Sequence, residues 1–245
     1  MDKNQHLPGQ QSPRQNQLLA ALPAADYERL LPHLEHVEMK LGWAPYESGD
    51  QQQYVYFPTT SIVSLFYVMQ DTFSAEIAII GYEGVVSIAL FMGGETTPTR
   101  AVVQNAGHGY RLSASVLKTE FDKGGDLQHL LLHYAQALIT QISQIAVCNR
   151  HHSVEQQLCR WLLLCMDRLP SNELTMTQEL IANMLGVRRE GLTEATGKLQ
   201  AAGLIHYSHG KLTVLDRPKL EARACECYRV TKHEYDRLLP NLHAT

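Results

Sequence analysis

"MTQELIANMLGVRREGLTEATGKLQAAGLI", residues 176–205, holds two short amphipathic segments joined by a glycine. Thr177 is a good N-cap for the first segment, and Thr175 with Gln178 offers a capping box one step earlier. Leu180, Ile181, Met184 and Leu185 recur at helical spacing and mark its buried side. Ala182 is small, so a second helix can pack close. Gly186 permits a sharp turn, Val187 plugs it, and the second segment runs to Gly203, a natural C-cap. There Leu192, Ala195 and Leu199 form the inner stripe, while Glu190, Thr193, Glu194 and Gly197 point away from it. This is the pattern of a helix–turn–helix with a recognition helix over 188–201. "LIHYS" and "KLTVL" then alternate as strands around His209–Gly210, which predicts a wing. Asp216 caps a terminal helix, "RPKLEARACECYRV".

Groove chemistry gives these side chains roles. A guanidinium donates two hydrogen bonds to guanine O6 and N7, and a carboxylate accepts from cytosine N4. Arg189 and Glu190, adjacent at the helix start, are placed to read neighbouring bases. Arg188, Lys198 and the wing residue Lys211 suit phosphates. Thr177, Gln178, Thr193 and Glu194 complete the candidate set. An "RRE" run alone reads as solvated charge on an ordinary helical hairpin. The cap, glycine turn, leucine stripe and wing together decide for DNA.

The formal net charge is −4, an apparent objection to DNA binding. Residues 1–149 carry eight Lys/Arg against fourteen Asp/Glu, and residues 150–245 thirteen against eleven, so the C-terminal part stands at +2. Binding phosphates needs a local positive surface, which whole-chain charge does not report.

Upstream the periodicity changes. "LLAALPAADYERLLPHLEH", residues 18–36, has a short helical pattern. "VEMKL", "QYVYF", "SIVSLFYV", "SAEIAII", "VVSIALF", "RAVVQ" and "HGYRLSA" are short runs rich in β-branched and aromatic residues, separated by turn signals. They predict an antiparallel sandwich or barrel over about 37–115. The polar first seventeen residues read as a flexible tail. With 44% hydrophobic residues the chain buries a proper core, and no apolar run approaches the roughly 20 residues that span a bilayer. The expected location is the cytoplasm, with no membrane partner.

"LQHLLLHYAQALITQISQIAVC" has no Gly or Pro. Leu127, Leu131, Tyr134, Leu138, Gln141, Ile145 and Cys148 follow steps of three and four, a heptad seam. We expect this seam to join two copies of the chain, with Gln141 as the register-setting polar position. The organisation expected is a tail (1–17), a sensor domain (18–125), a dimerisation helix (126–152), a winged helix–turn–helix domain (153–230) and a C-terminal extension (231–245).

The cysteines are Cys148, Cys159, Cys165, Cys225 and Cys227, an odd number in no common zinc frame. Cys159 and Cys165 lie in an apolar helical stretch and read as buried thiols. The "ACEC" pair can bind metal or sense oxidants, but two ligands alone close no site, so no metal is expected. His129 and His133, four apart on one helix, read as half-exposed surface residues.

The stretch over 176–205 with its wing resembles the Crp/Fnr family of bacterial transcription regulators. "YFPTTSIVSL" and "GYEGVVSIALF" are similar to the family's sensor strands and glycine turns, so the resemblance spans nearly the whole chain. It implies an α+β fold: an N-terminal antiparallel barrel of jelly-roll, cyclic-nucleotide-binding type, a long dimer helix and a C-terminal winged helix–turn–helix. It implies a homodimer on a palindromic operator, often under a small effector, with RNA polymerase as a further partner. Arg189 and Glu190 match the family's base-reading pair, whereas Glu194 stands where a later arginine is usual. In cyclic-nucleotide members a glutamate holds the ribose and an Arg-Ser pair the phosphate. Here those positions fall on Ser87, Thr99 and Arg100, with the arginine one place out of register. Cyclic AMP is therefore not expected. No cysteine precedes Cys148, so the family's N-terminal iron–sulfur cluster is not expected either. Haem would need an axial ligand, for which His108, His129 and His133 are loose candidates. No cofactor is identifiable, and the effector stays unnamed. Two competing functions remain: a cupin-like barrel metalloenzyme, which would need several inward His and a carboxylate, and an adaptor that binds no DNA. The expectation is a regulator and not an enzyme.

Overall fold

The computed structural model describes residues 12–69, 74–169 and 171–239. The elements in chain order are α1 (Gln17–Ala21), α2 (Ala24–Leu30), β1 (Glu35–Met39), β2 (Tyr54–Pro58), β3 (Ile62–Val68), β4 (Ser74–Ile80), β5 (Thr99–Asn105), β6 (Gly107–Ser113), α3 (Ala114–Phe121), α4 (Asp126–His151) and α5 (Val154–Met166), then β7 (Glu173–Thr175), α6 (Gln178–Leu185), α7 (Arg189–Ala201), β8 (Ile205–Ser208), β9 (Lys211–Val214), α8 (Arg217–Arg223) and α9 (Glu226–Leu238). Of the expected tail, residues 1–11 lie outside the described residues. Residues 12–17 form a turn and enter α1. Asn16 is buried; its side chain caps α1 and donates to the carbonyls of Pro58 (2.9 Å) and Gly84 (2.8 Å).

The N-terminal domain, the one expected to be the sensor and so called for its position only, is two antiparallel sheets, β1–β6–β2 and β4–β3–β5. They enclose Met39, Tyr56, Phe57, Leu65, Ile80, Phe91 and Leu112. The expected barrel is thus a sandwich of open sheets. "VVSIALF" is no strand: Val86 makes only an isolated bridge to Tyr56, and residues 88–90 form a 3-10 turn. Val85, Val86, Leu90 and Phe91 are buried and Ile88 and Ala89 partly so, but a short apolar run does not reveal its backbone shape.

The heptad seam of α4 does not face solvent. Leu127, Leu131, Tyr134, Leu138, Gln141 and Ile145 are all buried within one chain, against the sensor and α9. Gly84 explains the close seating: a Cβ there would lie 2.4 Å from the Tyr134 hydroxyl. Gln141 is no register residue of a two-fold seam. It accepts from the Ile79 N–H (2.9 Å) and donates to the Ile79 carbonyl (3.3 Å) and the Tyr235 hydroxyl (2.9 Å). A seam states that a partner exists, not whose it is, and here the partner is the same chain. The face left open carries Leu132, Ile139 and Val147, each roughly half exposed. The helix is 26 residues long and, by length and composition, apolar enough to cross a membrane, contrary to the sequence expectation. Its buried face belongs to the core of the fold.

Residues 157–166 of α5 are buried on every side, wedged between the outer face of β4–β3–β5 and the C-terminal domain. A helix buried on every side, apolar but for Gln157 and Arg160, needs such a position. The expected single terminal helix is two: extended backbone at Ala224 ends α8, and α9 starts at Glu226. α9 then runs along α4 into the expected extension, burying Tyr235 and Leu238 in the sensor's core.

Candidate nucleic-acid interface

Thr177 caps α6 by accepting the Leu180 N–H (3.2 Å), and no capping box from Thr175 forms. Gly186 ends α6 in the left-handed region (φ 64°), where a side chain would be strained. Arg188 is the N-cap of α7, with extended backbone and no side-chain capping bond, so the helix proper begins at Arg189. Leu192, Ala195 and Leu199 are buried, as the stripe required, and Thr196 is buried beside them. One apolar residue departs: Leu180 is 40% exposed and lines a groove facing the sensor rather than the domain's core.

Arg188, Arg189, Glu190, Thr193, Glu194 and Lys198 are exposed on one side of α7. Arg189, Glu190, Thr193 and Glu194 line one open concavity. Thr193 bridges the two helices through Gln178 (3.0 Å), which braces the motif from its outer side. Lys198 is engaged by Glu194 at 2.7 Å, and Lys211 lies 3.7 Å from Glu173. No described acidic group lies within ion-pairing distance of Arg188 or Arg189. The wing is built as predicted, with positive φ at His209 (49°) and Gly210 (77°), as a two-residue I′ turn needs. Sequence reading missed β7, which pairs with β9 and anchors the wing.

Ser87, Thr99 and Arg100 each have different surroundings. Ser87 is buried, left-handed (φ 76°), with no partner for its hydroxyl. The Thr99 hydroxyl lies 3.3 Å from that of Tyr46. Arg100 pairs with Glu47 at 2.8 Å and lines the groove toward α6. Strand alternation explains the split, since a one-residue offset turns a side chain to the other face. Elsewhere His36 and His108 stack (5.1 Å between centroids), whereas His129 and His133 are exposed on α4.

Behind the DNA-facing domain, the outer sensor face meets α5 through a buried carboxyl. A bulge in β4, pairing Leu65 with Ala78 but Phe66 with Glu76, aims Glu76 outward. Glu76 accepts the Trp161 indole N–H (2.9 Å) and lies 2.6 Å from the Ser64 hydroxyl, which also meets the Gln104 carbonyl. Ser64 has one proton and two acceptor neighbours, so a protonated Glu76 completes the chain by donating to Ser64. Burial lifts the Glu76 carboxyl from 4.5 to about 7. For an acid raised on folding, the folded state holds the proton longer. The stability this gives is complete below the unfolded value of 4.5 and is lost as pH rises through about 7. Glu76→Gln, whose amide donates as the protonated acid does, is expected to unfold in more urea than wild type at about pH 8 by up to about 3 kcal/mol. The gap should vanish below about pH 4.5. Parallel pH curves for the two proteins would refute this.

The arrangement defines a class: a winged helix–turn–helix domain packed on a β-sandwich through a long helix. Residues 156–223 match the family described as the Crp-like helix-turn-helix domain. In sequence, the chain matches none of the curated proteins. Among solved structures it is similar to a Crp/Fnr-family transcriptional regulator from Eubacterium rectale (18% identity, TM-score 0.65, covering 84% of this chain and 96% of that one). It is also similar to the c-di-GMP-responsive global regulator CLP of Xanthomonas campestris (17%, 0.64, 79% and 100%) and to FixK2 of Bradyrhizobium japonicum (14%, 0.61, 78% and 98%). Residues 156–223 are thus a Crp-like helix–turn–helix domain, and the chain as a whole has the fold of the Crp/Fnr-type regulators it is similar to.

Proposed function

We propose that two copies of the chain pair along the open face of α4 and present two α7 helices to successive major grooves of a palindromic operator, about 34 Å apart. In this reading Arg189 and Glu190 contact bases, Arg188 and Lys211 contact phosphate, and Glu194 changes the half-site by occupying a usual arginine position. Lys198, already held by Glu194, contributes less to phosphate than its charge suggests. The observation that carries the reading is the exposed, unpaired Arg188–Arg189 pair at the start of a helix whose opposite face is buried. The pairing face is supported by α4 itself: Asp126 and Arg150 are its only charged Asp, Glu, Lys or Arg residues, so nothing repels a second apolar stripe.

In this reading the protein acts by binding DNA, and the sandwich interior is packed with aromatic and aliphatic side chains such as Tyr56, Phe57 and Phe91. Arg100, held by Glu47 at 2.8 Å, is engaged in an ion pair, which argues against its serving as a cyclic-phosphate ligand in this reading.

Selection of bound sequences from random DNA, followed by footprinting, is expected to return an inverted repeat. Arg189→Ala should then lose about 1–3 kcal/mol at one base pair of each half-site and bind the substituted operators with equal affinity. Arg188→Ala should weaken all sequences alike and flatten the salt dependence. An absence of any enriched repeat at low salt would overturn the proposal in favour of an adaptor.

A further inference from the structure

Four potential metal ligands from distant parts of the chain meet where α4 ends. Cys148 and His152 are one helical turn apart at its C-terminus. Cys225 is the N-cap of α9, and Cys227 lies in its first turn. One ligand atom from each of the four lies within 4.8 Å of all the others. The Cys148 and Cys225 sulfurs are 3.5 Å apart, and the Cys227 sulfur is 3.6 Å from Nδ1 of His152. Tetrahedral zinc, with Zn–S about 2.3 Å and Zn–N about 2.0–2.1 Å, sets its ligands about 3.5–3.8 Å apart along the edges. A multi-iron cluster would spread its thiolates further around its core. A disulfide would need two of these sulfurs, not three sulfurs and an imidazole around one point.

We propose that Cys148, His152, Cys225 and Cys227 form a closed, four-ligand zinc site that clasps the DNA-binding domain onto the end of α4.

The surroundings fit a metal. The three cysteines are buried in a cluster of their own. Nε2 of His152 lies 3.4 Å from the Glu226 carboxylate, which leaves Nδ1 free to ligate and fixes the ring, as carboxylate partners do at zinc histidines. Three thiolates and a neutral imidazole on Zn²⁺ leave one net negative charge. Arg160, 2% exposed with its Nε unpartnered, lies within electrostatic reach of Cys148 and Cys227. The positive N-terminal end of α9 faces the same sulfurs. All positions are taken by protein, so the site is structural and has no vacancy for substrate. Between His152 and Cys225 the chain makes α5 to α8, which includes the whole helix–turn–helix. Metal binding therefore ties the far end of that domain to the helix proposed to hold the dimer. The site does not depend on what DNA the protein reads.

The test uses the full chain, produced in zinc-supplemented medium and purified reduced without chelators. Elemental analysis is expected to find one zinc per chain. Stripped protein refilled with cobalt(II) should show thiolate-to-cobalt charge transfer and the strong visible bands of a tetrahedral site. Cys227→Ser and His152→Ala should lose most of the metal, whereas Cys159→Ser, which changes a thiol outside the group, keeps it. Stripping the metal should lower the thermal unfolding midpoint, and added zinc should restore it. Metal-free wild type with no cobalt spectrum would overturn the site, and this measurement needs no variant to fold. So would full zinc content in Cys227→Ser, or a Cys148–Cys225 disulfide in the fresh protein.

Discussion

Ile139→Glu is expected to turn the protein into a monomer and to lower its affinity for a palindromic operator by about 10²–10⁴-fold. Ile139 is 52% exposed in the single chain, at the middle of the open face of α4. Leu132 lies seven residues before it and Val147 eight after, so the three share one stripe. Across a two-fold axis the substituted carboxylates would face each other in an apolar seam, with no Lys or Arg on the helix between residues 126 and 150 to offset them. The chain itself should fold normally, because surface substitutions of this kind cost little. Loss of affinity then reports the loss of bivalency, since a linked second half-site raises apparent affinity without new contacts. Sedimentation measures the mass, and titration against full and half operators measures the binding. A variant that stays dimeric would show that the pairing face lies elsewhere. Ile139→Leu should behave as wild type.

Arg168→Ala is expected to cost about 3–5 kcal/mol of stability. Arg168 and Glu83 are 5% and 12% exposed, with Nε and Oε1 2.7 Å apart. The guanidinium also donates to the Leu164 carbonyl (2.8 Å), and the carboxylate accepts the Gly81 N–H (3.1 Å). This pair joins the sensor's Gly81–Gly84 turn to the segment just after α5, beside Tyr235 of α9. Truncating the arginine leaves a buried carboxylate without its countercharge, and that penalty is the main cost. Replacing both partners by apolar residues of similar size should recover much of the loss, so the double variant separates charge from packing. Urea unfolding of the three variants measures this. A cost below about 1 kcal/mol for Arg168→Ala would mean that water reaches Glu83.

The helix–turn–helix was legible because its signals are local. The Thr177 cap, the Gly186 turn, the Leu192–Ala195–Leu199 stripe and the His209–Gly210 turn each act within a few residues. Most strands were legible for the same reason, by alternation. "VVSIALF" was misread because it is a short, nearly continuous apolar run and carries no period that tells a strand from a turn. The α8–α9 break was missed because Ala224 is a good helix former in isolation, and only the packing of α9 on α4 turns the chain there. The zinc ligands left a faint trace: Cys148 and His152 at helical spacing, and a C-x-C pair. Nothing local joins those pairs, which lie 77 residues apart from Cys148 to Cys225.

By itself the sequence determined what short-range physics controls: most helices and strands, the Thr177 cap and Gly186 turn, and which face of each periodic element is apolar. It also determined that the α4 seam would be covered. Tertiary structure decided what covers it, by bringing β4 and α9 onto the face expected to pair two chains and leaving Leu132, Ile139 and Val147 outside. It decided likewise that Arg100 lies outside the sandwich and that two separate cysteine and histidine pairs share one point. The reason is common to all three. Periodicity fixes a side chain's direction relative to its own element, and only the docking of that element against others fixes what stands opposite.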